Sequence, residues 1–496
     1  MPAPLSSAVS AALAGWIQRH EPEILAGLRR LIQFPTVSGA ADAAGRQAFE
    51  RHVHEAHHWL ICEAGRWGLR SRSHRDWALV IEAGDVPEVI GVPLHVDVVP
   101  PGEGWRHGDP FSGTIEDGQV WGRGTQDNKG PLMAMLHAVA AIVALGRPLR
   151  RRVKLIIGHG EEVSEWEDVE YVRDLEGPPL WSIVPDSSFP LVTGEKGWLN
   201  AALRGDWDPV ALGEAPVRLE SLMAGDRVNI VPDRAQAALQ FSASADEARQ
   251  RLEAAAAKIG SDEVGRPEIA WPEPGRCEIV THGKRAHGSS PHRGHNAALD
   301  LLRLLSGGLG ASLGEELSGT LGALEAACRD HLGGVFGVKS EHPFLGATTV
   351  SLGVLQVRPG GLEALLNFRP TLGLTTAAAL ESVHRRIAEW PGATALGLRL
   401  EASDQPYEAF LVETSEMAEC IAALEDAFRS VTGAEPAHLP MSGSTYAKVF
   451  PRAVGFGPCW SAQEPGLFHQ IDERIPVASH LRNIRIYAEA LARLVL

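Results

Sequence analysis

Three observations predict the fold class of this 496-residue chain: α/β, with a mixed, mostly parallel sheet flanked by helices, plus an inserted α+β domain built on an antiparallel sheet. First, the runs "WALVIEAG", "VIGVPLHVDVV" and "RRVKLIIGHG" are short, apolar and partly β-branched, and each ends in Gly or polar residues, as buried parallel strands do. Second, the last two of these runs are separated by "KGPLMAMLHAVAAIVALGRP". There Leu132, Leu136, Val139 and Val143 fall on one helical face, and Gly146 with Pro148 supplies a stop. Strand, helix, strand is the unit of a parallel sheet. Third, the chain is too long for one hydrophobic core to keep growing, so at least two domains are expected.

The N-terminal "MPAPLSSAVSAALAGWIQRHEPEILAGLRRLIQFPTVSG" has an apolar patch but no basic lead, and it soon meets Arg19, His20, Glu21 and Glu23. It reads as helix rather than as a signal peptide. After "PDSSFPLVTGEKGW" the pattern changes. From about 198 to 404, alternating strands ("AQAALQFSAS", "TTVSLGVLQVRPGG", "GLEALLNFRP") are interleaved with amphipathic helices ("DEARQRLEAAAAKI", "NAALDLLRLLSGG", "TAAALESVHRRIAEW"). In "GLEALLNFRP", Leu362, Ala364, Leu366 and Phe368 share a face, and Pro359-Gly360-Gly361 supplies a hairpin turn. From about 405 the chain returns to helix ("SEMAECIAALEDAFRSVTG") and to short apolar strands around "AVGFGP". The expected organisation is therefore a first domain of residues 1–197 resumed by 405–496, with 198–404 inserted.

A net charge of −16 argues against nucleic acid or an anionic membrane as the main partner, since both reward an excess of Lys and Arg. No run of eighteen apolar residues without charge is present, so no transmembrane helix is expected. The five cysteines (Cys62, Cys277, Cys328, Cys420 and Cys459) are scattered, with no C-x-x-C pair, which fits a reducing cytoplasm.

Chemistry concentrates near the ends of the apolar runs. The glycine-rich "GRGTQDNKGP" opens a helix, but it lacks the spacing of a phosphate loop, so Asp127 reads as a cation ligand in need of companions. Those companions are His95 and Asp97 in "PLHVDVVP", Glu161 and Glu162 in "HGEEVSE", Asp186 in "VPDSSFP" and His469 in "LFHQIDERI". Residues following parallel strands converge, because the crevice outside the carboxyl ends of such strands is where α/β sites form. In His-x-Asp on a strand both side chains share a face, so Asp97 is placed to take the second ring N–H of His95 and orient it. His159, His292 and His295 lie close enough to these motifs to be decoys.

The order "LHVDVVP … GRGTQDNKGP … HGEEVSEWEDVEYV … VPDSSFPLVTGEKG … NIVPD … GKRAHGSSP … LNFRP … GSTYAK … LFHQIDE" resembles the metallopeptidase family of aminoacylase, succinyl-diaminopimelate desuccinylase, glutamate carboxypeptidase and carnosinase. Within it the chain looks most like the PepV-type bacterial dipeptidases. The resemblance implies a catalytic domain, a lid domain, and two divalent ions, Zn²⁺ or Mn²⁺. His95, Asp127 and Asp186 would hold one ion and Asp127, Glu162 and His469 the other, with the Asp127–Asn128 peptide cis. It makes Glu161 the general base, which takes a proton from the attacking water and passes it to the leaving amine. His287 becomes an oxyanion donor, Asn229 a substrate contact and Arg369 the grip on a C-terminal carboxylate, while Ser444 and Thr445 would line the pocket. Three positions depart from the family pattern: His159-Gly160 ahead of Glu161, Asn128 in place of an Asp, and Lys448 in place of an Arg. The expected activity is a monomeric cytoplasmic dipeptidase. The alternatives are a deacylase or desuccinylase of N-acyl amino acids with the same site, or a non-catalytic binding relative.

Overall fold

The structure is a computed structural model that describes residues 5–39, 42–163, 165–210, 215–242, 246–259, 264–460 and 466–496. The chain forms two compact units, one of residues 1–194 with 411–496 and the other of residues 195–410.

The first unit is organised by a sheet whose centre is parallel. Strand Val89–His95 pairs in parallel with Arg152–Gly158 on one side and Trp181–Val184 on the other, and Ala453–Gly455 pairs in parallel with Trp181–Val184. The run "WALVIEAG" departs from expectation. It forms Ala78–Ala83, antiparallel both to Arg70–His74 and to Arg152–Gly158. It is buried on both faces like its parallel neighbours, and burial, not strand direction, is what an apolar run records.

The helix Lys129–Val143 is also buried all round, not on one stripe, with every residue from Lys129 to Ile142 inside. It packs against the sheet and against the helices Ser7–Arg19, Glu21–Ile32 and Val477–Val495, so its far side never meets water. No helix among the described residues is long and apolar enough to cross a membrane, and none of the five cysteines is in a disulfide.

The second unit is built on an eight-stranded sheet whose named pairings are all antiparallel. Strands Thr349–Arg358 and Gly361–Arg369 form a hairpin with Arg358 opposite Gly361. Gly360, at φ +82°, occupies the left-handed conformation that the turn requires. Leu362, Ala364, Leu366 and Phe368 are buried in the core of this unit with residues of the helices Asp246–Ala256, Ala297–Arg303, Glu315–Arg329 and Thr376–Ala388.

Candidate active site

The three adjacent parallel strands end together, and their carboxyl ends carry the first unit's polar cluster. His95 closes Val89–His95, Glu161 and Glu162 follow Arg152–Gly158, and Asp186 follows Trp181–Val184. Asp127 stands just ahead of the helix Lys129–Val143, across a cis peptide bond to Asn128. His469, at φ +61°, precedes Arg474–Pro476, a strand paired with Gln119–Trp121 at the start of the Asp127 loop.

Asp127 divides its carboxylate between two histidines. Its Oδ1 is 3.1 Å from His95 Nε2, and its Oδ2 is 3.2 Å from His469 Nε2. Asp186 Oδ2 lies 3.6 Å from His95 Nε2, and Glu162 Oε2 lies 3.0 Å from His469 Nε2. Grouped by ligand atoms within 4.8 Å of one another, the donors form two sets, His95 with Glu161 and Asp186, and Asp127 with Glu162 and His469, while Asp127 also reaches His95, so that Glu161 stands beside the first pair and Asp127 astride both sets.

The hydrogen-bond pattern tests whether such a cluster suits a cation. His95 Nδ1 is 3.0 Å from the main-chain oxygen of Asp97, to which it can donate, which turns the Nε2 lone pair toward the carboxylates. A lone pair facing carboxylate oxygens is repulsive unless positive charge lies between them. His95 Nε2 and Glu162 Oε1 are buried without hydrogen-bonding geometry to any partner. Donor separations of 3.0–3.6 Å match the roughly 3.3 Å between ligands that share a tetrahedral ion at about 2.0–2.1 Å. Imidazole and carboxylate donors of this kind suit Zn²⁺ or Mn²⁺. The residues therefore fit divalent cations.

Electrostatics agree. Burial alone would lower the His95 pKa, but Asp127, Asp186 and Asp97 override it and hold the ring well above its usual value. His469 is raised in the same way by Glu162 and Asp127 against its burial. Burial would raise Asp127, yet His469 and His95 hold it below the usual carboxylate range. Glu161 is pushed well above the carboxylate range by burial and then by Asp186, with Glu162 and Asp127 adding to it.

Asp97 is placed differently from expectation. The His95 ring is nearest its main-chain oxygen, while the carboxylate has Oδ1 at 3.2 Å from Nδ1 and accepts the Glu162 amide through Oδ2 at 3.0 Å. It thus ties two ligand-bearing segments together. Thr445 is buried and caps the short helix Tyr446–Lys448, its hydroxyl accepting from the Ala447 amide at 3.1 Å. Ser444 beside it is half-buried.

Sequence reasoning missed two buried carboxylates behind the cluster. Glu473 accepts from the amides of Gly124, Gln126 and Asp127 at 3.1, 2.8 and 3.3 Å and from Arg123 Nη1 at 2.6 Å, which fixes the loop that carries Asp127. Asp168 accepts from the amides of His159 and Gly160 at 2.6 and 3.0 Å and from the Tyr446 hydroxyl at 2.9 Å, which fixes the turn that leads into Glu161. Both look like surface charge in sequence. The one signal was position, Glu473 falling four residues after His469 and Asp168 in the segment that follows Glu161 and Glu162.

Taken by itself, the second unit brings Asn229, His287 and Arg369 to one end of its sheet. The Asn229 main-chain oxygen accepts from the Gly288 amide at 2.6 Å, and a Cβ on Gly288 would come within 3.0 Å of Asn367 Oδ1. Arg369 is buried, its Nε donating to Asn367 Oδ1 at 3.1 Å and its guanidinium lying 4.1 Å over the Trp198 ring. His287 Nδ1 lies 3.2 Å from the Ser289 amide and 2.7 Å from its hydroxyl, so that it acts as acceptor and the proton of a neutral ring sits on Nε2. His295, one of the decoys, pairs with Asp300 at 2.6 Å.

The model of peptidase family M20/M25/M40 matches residues 92–493. Among curated relatives, the "Putative dipeptidase YtjP" of Bacillus subtilis (strain 168) is 28% identical over 486 residues, 96% of this chain and 98% of that protein. A protein of the same description from Staphylococcus haemolyticus is 28% identical over 478 residues, 96% and 97% of the two chains. Among solved structures, human carnosine dipeptidase 1 aligns with a TM-score of 0.58 at 16% identity, over 98% of this chain and 99% of that one. The di-peptidase Dug1p of Saccharomyces cerevisiae gives 0.59 at 13% identity, over 98% of each. At such identities the structural likeness speaks for the fold.

Proposed function

Because the chain belongs to peptidase family M20/M25/M40, we propose that it is a two-metal dipeptidase, active as a monomer in the cytoplasm. The observation that carries the reading is the shared carboxylate of Asp127, one oxygen toward His95 and the other toward His469. His95, Asp127 and Asp186 would hold one divalent ion, and Asp127, Glu162 and His469 the other. When bound, such ions supply Lewis-acid polarisation of a carbonyl and make water more acidic.

The chain's own residues do the rest. Glu161 adjoins a ligand in sequence and carries a carboxylate whose affinity for protons is raised by burial and by its acidic neighbours. It takes a proton from the attacking water and returns it to the leaving amine. His287, with its ring proton on Nε2, donates to the oxygen that gains charge as the peptide carbonyl is attacked. Asn229 contacts the substrate, and Arg369 receives its C-terminal carboxylate through a planar fork. Ser444 lines the pocket beside Thr445. An anchor on that carboxylate admits one residue on the leaving side, and the acidic cluster favours a free amine on the other.

A panel of dipeptides, tripeptides and N-acetylated dipeptides, assayed on chelator-stripped protein refilled with Zn²⁺, Mn²⁺ or Co²⁺, tests the reading. Free dipeptides should be cleaved best, and activity should vanish without metal. Preference for the N-acetylated compounds would favour a deacylase. Replacing Arg369 by Lys should cost roughly 2–4 kcal/mol of transition-state stabilisation, read from kcat/KM, because the charge remains but the fork is lost. Indifference to that change, or efficient cleavage of tripeptides, would sink the dipeptidase reading.

A further inference from the structure

Arg369 stands at one end of a hydrogen-bond chain that runs along the sheet of the second unit. Its Nε donates to Asn367 Oδ1 at 3.1 Å, Asn367 Nδ2 donates to Asn200 Oδ1 at 2.6 Å, and Asn200 Nδ2 donates to Asp404 Oδ2 at 2.6 Å. The two asparagines are directly opposite in the register of Leu199–Asp206 against Gly361–Arg369. A cationic donor at one end and a carboxylate at the other leave each amide one orientation, oxygen toward Arg369 and nitrogen toward Asp404. Such a chain polarises its members in one direction.

Asp404 is itself held in place. Its segment is tied to the same strand end by Ser403 N to Asn200 O at 2.9 Å and by reciprocal main-chain bonds between Trp198 and Tyr407 at 2.8 and 2.9 Å. Trp198 takes part twice, donating Nε1 to Asp404 Oδ2 at 3.3 Å and covering one face of the guanidinium at 4.1 Å. The Asn367 contact on Nε and the Trp198 ring on one face hold the plane of the Arg369 guanidinium. The charge is buried, so a misdirected fork has little water to compensate it.

We propose that Trp198, Asn200 and Asp404 are positioning residues that fix the plane of the Arg369 guanidinium and thereby set the requirement for a free C-terminal carboxylate. The proposal rests on the carboxylate role given to Arg369 above. The test compares kcat/KM for a dipeptide and for the same dipeptide as its C-terminal amide, across Arg369→Ala, Asp404→Ala, Asn200→Ala, Trp198→Leu and Trp198→Phe, each checked for a native melting transition.

Asp404→Ala, Asn200→Ala and Trp198→Leu should each lower the value for the free acid about tenfold, mostly through KM, and leave the amide unchanged. Trp198→Phe, which keeps an aromatic face, should recover part of the loss. Asp404→Ala should cost nothing further on top of Arg369→Ala. Equal losses on acid and amide, or additive losses in the double variant, would overturn the positioning role. If Arg369→Ala itself leaves the preference for the acid intact, the failure lies with the carboxylate reading.

Discussion

The two units satisfy their buried polar groups in opposite ways. At the strand ends of the first unit, histidine and carboxylate atoms face one another at 3.0–3.6 Å, and His95 Nε2 and Glu162 Oε1 lack hydrogen-bond geometry to any partner. At the strand end of the second unit, Arg369, Asn367, Asn200 and Asp404 are linked donor to acceptor in one direction. The first arrangement calls for cations from outside, and the second supplies its own counter-charge. The lesson is that the first cluster is completed by what binds it, whereas the second holds a binding group, Arg369, in place through its own donors and acceptors.

The largest effect that would break this comparison comes from Glu161. Replacing it by Gln removes the proton acceptor but no expected ligand, so turnover should fall about 10³-fold, within the range that proton transfer contributes, with metal content unchanged by elemental analysis. Glu162→Gln should instead lose metal. Equal metal content in the two variants would contradict the division of roles.

Glu473 sharpens the contrast, because it is a fully satisfied carboxylate standing behind an unsatisfied cluster. Glu473→Gln should weaken metal binding by about 10–100-fold, measured by competition with a chelating dye, since one of the two oxygens that accept the Gly124, Gln126 and Asp127 amides becomes an NH₂ donor facing them. Unaltered affinity would show that the loop holds its shape unaided.

The smallest effect concerns acid. Burial depresses His57 and His137 to about 3 and His480 to about 4, all in the first unit. The unfolded chain binds these protons near pH 6.5 and the folded chain does not, so stability is lost as pH falls from about 6.5 toward 4. At pH 6 each histidine accounts for about 0.8 kcal/mol. Urea unfolding of wild type and His480→Leu at pH 7 and pH 6 should show a smaller acid loss in the variant, and parallel losses would refute the assignment.

Much of this was legible in the sequence for physical reasons. Strands such as Val89–His95 and Arg152–Gly158 are buried on both faces, and unbroken apolar runs record that directly. The hairpin Thr349–Arg358 and Gly361–Arg369 announced itself by alternation around a Pro-Gly turn. Strand direction was not legible, as Ala78–Ala83 shows, because it is not encoded locally, whereas the all-round burial of Lys129–Val143 is written in a run that is apolar on every face and goes beyond the single stripe first expected. In the site, His95, Asp127, Glu161, Glu162, Asp186 and His469 stood out as reactive types at strand ends, and the structure brings them together. Glu473, Asp168, Asp404 and Trp198 did not. Their importance lies in which amides, rings and hydroxyls they meet, and for all but the amides of Asp168 those partners are far away along the chain.

One feature of the first unit also sets an order in time. The chain leaves that unit after Gly194 and returns at Leu411, so His469 is made after the whole second unit, long after His95, Asp127, Glu161, Glu162 and Asp186. At about 5–20 residues per second, His469 leaves the ribosome roughly 14–57 s after Asp186. Until then the nascent polypeptide carries five of the six cluster residues and cannot close the second set, so hydrolytic competence waits on the return of the chain to the first unit.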